Sequence, residues 1–137
     1  MNKAKAFLSQ ISLVNMRIQN KEAEKKQWRD IALGITSRTD GERVQSSGSQ
    51  QKMAKAIDKY IDLEREIDAE IDRLVDTKRE IVAVIEKLKP VEYDVLHKRY
   101  IQEMSFAEIA FEHKRSDSWA TTVHGRALAN LAELLKL

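Results

Sequence analysis

Between Met53 and Leu88 the apolar positions step by four and three without a break. The series is Met53, Ile57, Tyr60, Glu64, Ile67, Ile71, Leu74, Lys78, Ile81, Ile85 and Leu88. A seam of this period predicts a helix over about 51–88, packed along its length on another helix. At 1.5 Å per residue it would run roughly 55 Å. A weaker seam precedes it: Ala4, Phe7, Ile11, Val14, Ile18, Lys21, Lys25, Trp28, Ala32 and Ile35. It predicts a first helix over about 3–34. The intervening 36–50, TSRTDGERVQSSGSQ, has loop composition. Ser47 with Gln50, or Ser49, offers a cap for the second helix.

Folding the two helices antiparallel brings Trp28 to Tyr60 and Ile18 near Ile71, with Lys21 and Lys25 on either side of Glu64. A seam carboxylate between two seam ammoniums would set the register, because slippage would bury unmatched charge. Lys78 finds no acidic mate in this alignment, landing near Gln10 and Ile11. The stripe is wider than a two-helix contact needs, with Ile61, Val75 and Val82 beside the seam. Either the C-terminal part folds back on it, or the hairpin stays monomeric with some apolar surface exposed, or two hairpins associate. The expectation is a homodimer or higher homo-oligomer through Ile61, Ile67, Ile71, Val75 and Val82.

Pro90 ends the long helix and can open the next, so the hairpin region is 1–89 and a second domain spans 90–137. There the elements become short. Residues 91–101 place Tyr93, Leu96, Tyr100 and Ile101 on one face. Ser105 and Glu108 form a capping box for a helix over 105–113, with Ile109 and Ala110 inward. A polar turn, 114–116, leads through Ser116 to a last helix over about 117–135, which turns Ala120, Val123, Ala127, Leu128, Leu131 and Leu134 inward. Short helix, tight turn and longer helix is the helix-turn-helix order, which sets the second helix's N-terminal residues at base edges. Periodicity alone fits a three-helix packing module equally well. The predicted fold class is all-α: a long, coiled-coil-like antiparallel helical hairpin followed by a C-terminal helix-turn-helix.

The residues of this segment resemble region 4 of bacterial sigma factors. The match runs through Val95, Leu96, Arg99, Tyr100, Ser105, Glu108, Ile109, Ala110, Ser116, His124, Arg126, Ala127 and Leu128, without a gap from Glu108 to Leu128. The whole chain, including RVQSSGSQQKMA and IDLEREIDAEIDRL, is similar to small proteins of phages and prophages of Gram-positive bacteria. The resemblance implies a late-gene transcription regulator binding double-stranded DNA, with the hairpin for dimerisation or RNA polymerase contact. Lys98, Arg99, Lys114, Arg115 and Arg126 would contact phosphates. Ser116, Ser118, Thr121 and Thr122 would meet bases or phosphates. Three positions depart from the pattern: Lys114 stands at the turn glycine, and His113 and Arg115 stand at the flanking apolar sites. Trp119 reads either as core filler or as an exposed anchor.

Charge qualifies this picture. Residues 1–51 carry 9 basic and 5 acidic side chains, 52–89 carry 9 and 10, and 90–137 carry 6 and 7. The last segment lacks the basic excess of most nucleic-acid modules, which favours a protein-interaction module as an alternative. A phage DNA-packaging or assembly component, with the hairpin as an oligomerising stalk, is the other. There is no Cys, which excludes disulfides and thiolate metal sites. His97, His113 and His124 are too scattered for a metal site and read as two surface histidines and one retained from the sigma-like pattern. No Gly-Lys-Ser/Thr loop is present, and a two-helix hairpin offers no pocket. No enzymatic activity, cofactor or metal is expected. No apolar run reaches the ~20 residues of a membrane span, and the N-terminus lacks a signal-peptide pattern. The expected location is the cytoplasm of a bacterial host.

Overall fold

The computed structural model describes residues 2–34 and 47–136. The described chain is all-helical. The helices are α1 (Lys3–Leu8), α2 (Gln10–Ala32), α3 (Ser47–Ile85), α4 (Pro90–Leu96), α5 (Phe106–Glu112) and α6 (Asp117–Leu134), and α4 runs on into a π-helical turn, His97–Ile101. Among the described residues no helix is long and apolar enough to cross a membrane. Residues 35–46, and with them Ile35 of the first seam and most of the expected loop 36–50, lie outside the described residues. Residues 47–50 are helical, so Ser47 and Ser49 stand inside α3 and not at its cap.

Two compact units divide the chain: Met1–Val14 with Leu74–Leu137, and Asn15–Arg73. The division falls within both long helices and not at Pro90. In the first unit, Ala4, Leu8 and Ile11 share one buried cluster with Ile81, Ile85, Leu96, Ala127, Leu128 and Leu131. Pro90 therefore opens α4 inside a common core, where its fixed φ suits the first helical position. A second cluster joins Val95, Ile109, Ala110, Ala120 and Val123, with Met104, Phe106 and Trp119 packed against it. α1 and α2 are separated only by Ser9, whose N–H bonds Lys5 O. The Gln10 amide donates to Phe7 O across the break.

In the second unit, Lys21 Nζ lies 2.8 Å from Glu66 Oε1, and the Lys25 ammonium lies 5.3 Å from the centroid of the Tyr60 ring. Glu64, expected between the two lysines, is exposed. The buried residues of α3 here are Ala56, Leu63, Ile67 and Glu70, which share Ile67 with the expected seam. Met53, Ile57 and Ile71 of that seam are exposed, as is Ile61 beside it. The sequence carries two adjacent apolar rows, and one neighbouring helix covers only one of them. The row built on Ala56 and Leu63 is the one covered. Of the expected association residues, Ile61, Ile71 and Val75 lie between 41% and 45% exposed. Val82 is half-buried, and Ile67 is buried inside its own unit, so it is not available to a second copy. Glu70 is also buried; Arg73 Nη1 reaches its Oε1 at 3.3 Å, and among the described residues Oε2 has no hydrogen-bond partner.

Candidate nucleic-acid interface

α5 is seven residues long because both its ends are fixed. At its start, Ser105 Oγ accepts from the Glu108 N–H at 3.1 Å, and the Glu108 carboxylate accepts from the Ser105 N–H at 3.2 Å. This reciprocal box satisfies two N–H groups that the helix leaves open. At its end, the Arg115 N–H reaches back to Ala110 O at 2.9 Å and the Lys114 N–H to Phe111 O at 3.1 Å. That is a Schellman closure, which requires a left-handed residue at Lys114, and Lys114 has φ +56°. A lysine thus occupies a backbone conformation that glycine takes without penalty. Lys114→Gly is expected to keep the turn and raise stability by about 1 kcal/mol, read from the urea midpoint; a loss of stability would mean the turn is not held this way. Ser116 then opens α6, its Oγ accepting from the Trp119 N–H at 3.2 Å.

The two other departures from the sigma-like pattern also have partners. His113 Nε2 donates to Asp94 Oδ2 at 2.6 Å, and Lys98 Nζ lies 2.8 Å from Asp94 Oδ1. Burial raises the Asp94 carboxyl, but the hydrogen bonds from Lys98 and His113 outweigh it and hold it below the usual range. The His113 ring also packs 4.9 Å from Trp119, over which Arg115 sits at 5.7 Å. Trp119 is half-buried, closing the second cluster on one side while carrying Arg115 on the other. Neither His97 nor His113 is a surface histidine, since both are half-buried, and His97 bonds Gln102 at 2.9 Å.

The nine candidate contact residues separate into two groups. Lys114, Arg115, Ser116, Ser118, Thr121 and Thr122 are exposed and contiguous along the turn and the first turns of α6. Thr121 Oγ1 donates to Ser118 O at 3.0 Å, so its methyl group and lone pairs face outward with Thr122. Each of the other three has a partner within the fold. Lys98 is paired with Asp94. Arg99 donates to Met104 O at 3.1 Å and lies 4.3 Å from the centroid of Phe106. Arg126 Nε donates to Glu92 Oε2 at 3.0 Å. Glu92 is 1% exposed, and Asn130 Nδ2 donates to both its oxygens, at 2.9 and 3.1 Å. For these three, a carboxylate, a carbonyl or an aromatic face brought close by folding competes with any outside phosphate.

This chain matches no family model, no curated protein and no solved structure. What the site can do therefore rests on its own residues. Ser118, Thr121, Thr122 and Gly125 make the exposed start of α6 a low surface of small side chains, with Asp117 as its acid and Lys114 and Arg115 at one end. Such a surface allows a backbone or a groove to approach closely.

Two features were missed in the residue pattern. Glu92 stands three and four residues before the buried Val95 and Leu96, a spacing that signals an inward carboxylate. Phe111 is 84% exposed, and its position next to the buried Ile109–Ala110 pair puts it on the outer face of α5.

His124 sits beside this region with Tyr100, the Tyr100 hydroxyl and His124 Nε2 lying 2.7 Å apart, and the Phe106 ring edge-on at 4.9 Å. Burial, and then the Arg99 and Lys5 charges, lower it from 6.5 to about 4. The unfolded chain therefore takes up this proton before the folded chain does. Stability is full above pH 6.5 and falls as pH drops toward 4, by on the order of 2 kcal/mol for a partly solvated ring. Chemical denaturation at pH 7 and pH 4.5 checks this, and His124→Phe should flatten that part of the profile.

Proposed function

We propose that this chain is a DNA-binding transcription regulator of phage or prophage type. In this reading α5 and α6 form a helix-turn-helix like that of sigma region 4, and the α2–α3 hairpin is an arm for dimerisation or RNA polymerase contact. One observation carries the reading: a seven-residue helix and a longer helix joined by a Schellman-closed, serine-capped turn, with Ser118, Thr121 and Thr122 outward at the start of the second. That is the arrangement that lets a helix N-terminus enter a major groove. At the exposed turn, Lys114 and Arg115 are the candidate cations with no ion pair among the described residues, so affinity per module is modest, and association through Ile61, Ile71 and Val75 would raise it.

The test is a gel-shift scan against the surrounding genomic DNA at two salt concentrations. Specific shifts lost in Arg115→Ala and Thr121→Ala, and weakened along with dimerisation in Ile61→Glu, support the reading. Absence of binding at low salt ends it. A second reading, a protein-interaction module, is favoured by Phe111, which stands out between Glu108 and Glu112 on a face that phosphates would avoid. Under that reading Phe111→Ala abolishes partner binding, and DNA is never bound.

A further inference from the structure

A cleft of about 310 Å³ opens between the α1–α2 junction and the π-helical turn, lined by Lys5, Leu8, Ser9, Ser12, Arg99, Tyr100 and Glu103. All of these residues belong to one compact unit. Arg99 is pre-positioned, because its hydrogen bond to Met104 O and its stacking on Phe106 hold the guanidinium in place. The same side chain lines the cleft. Among the described residues, neither Lys5 nor Arg99 has a carboxylate within ion-pair distance. The field of these two cations reaches His124 next door, whose proton affinity both of them lower.

We propose that this cleft binds a phosphate-bearing anion through Lys5, Arg99 and the Ser9 and Ser12 hydroxyls. A planar guanidinium, a point ammonium and two hydroxyl side chains line one cleft, a donor set that suits a tetrahedral oxyanion. Two cations stand against the one carboxylate of Glu103, so the site is net positive and its affinity moderate. The shared chemistry is a phosphoryl oxygen cluster, presented either by a free phosphomonoester or by a nucleic-acid backbone. The inference does not depend on the helix-turn-helix reading, since none of the exposed residues of α6 takes part.

The experiment titrates the ¹⁵N-labelled full chain with inorganic phosphate at constant ionic strength. Saturable amide shifts are expected around residues 5, 9–12 and 99–100, with a dissociation constant on the order of 1 mM. Lys5→Ala should weaken binding by about tenfold, and Lys5 is exposed, so the fold is not at risk. Glu103→Gln should strengthen binding several-fold, an effect no loss of folding could produce. Two competitors then identify the source. Glycerol 3-phosphate displacing the ion more tightly than phosphate binds marks a phosphomonoester site, and displacement by duplex DNA marks a backbone site. Shifts that do not saturate, that persist unchanged in Lys5→Ala, or that neither competitor displaces mean an adventitious ion only and overturn the inference. Loss of DNA binding with phosphate binding intact would remove the regulator reading and leave this one standing.

Discussion

Arg126→Ala is expected to lower the unfolding free energy by about 3 kcal/mol, a fall in melting temperature of roughly 10 °C. The reason is the carboxylate it leaves behind. Glu92 is buried between α4 and α6, and among the described residues Arg126 and Asn130 donate to it. Without the guanidinium, a desolvated negative charge keeps one neutral partner, and breaking a buried pair from one side is far costlier than never having it. The low end of the usual range applies, because the Arg126 side chain is itself 54% exposed. Glu92→Gln in the same chain should restore part of the loss, since a neutral amide needs no counter-ion, and the double-mutant cycle should show coupling above 1 kcal/mol in magnitude, about the upper part of the usual range for contacting residues. Thermal and urea unfolding of the four proteins decide it. If Arg126→Ala melts like the parent while DNA affinity falls, Arg126 is a contact residue and the account of it as a fixing group fails.

The second large effect is expected at the other end of the chain. Leu8→Ala should cost about 3 kcal/mol, although Leu8 lies eight residues from the start and in a helix of six. Leu8 is completely buried against a cluster that includes Ile81, Ile85, Leu96 and Leu131, so truncating it opens a cavity in the core that also supports α6. Leu13→Ala is the matched control: the same chemistry on an exposed side chain should stay within about 0.5 kcal/mol of the parent. Equal effects of the two substitutions would mean that the N-terminal segment is not part of this core.

The local features were legible because each is decided within a few residues. Ser105 and Glu108 state a capping box by spacing alone, and the structure forms it. Ser116 caps α6, and Pro90 opens α4, for reasons of backbone chemistry that do not depend on neighbours. The π-helical turn at His97–Ile101 was not legible, since a run with Tyr100 and Ile101 in helical phase reads as plain α-helix. Lys114 in the left-handed region was visible only through the resemblance, which puts glycine there.

By itself the sequence determined an all-helical chain, the caps and breaks of its short helices, and a stripe on α3 too wide for one partner. Periodicity and capping are properties of neighbouring residues, and they survive without a tertiary fold. The tertiary structure alone decided which side of α3 is covered before Leu74, so that Ala56, Leu63 and Ile67 went inside and Ile57 and Ile71 stayed out. It also decided that residues 1–14 join the C-terminal core, and that Arg99, Lys98 and Arg126 are held by Phe106, Asp94 and Glu92. Those outcomes depend on which groups from distant parts of the chain arrive within a few ångströms, and a charge at the surface of a helix goes to the nearest carboxylate that folding brings to it.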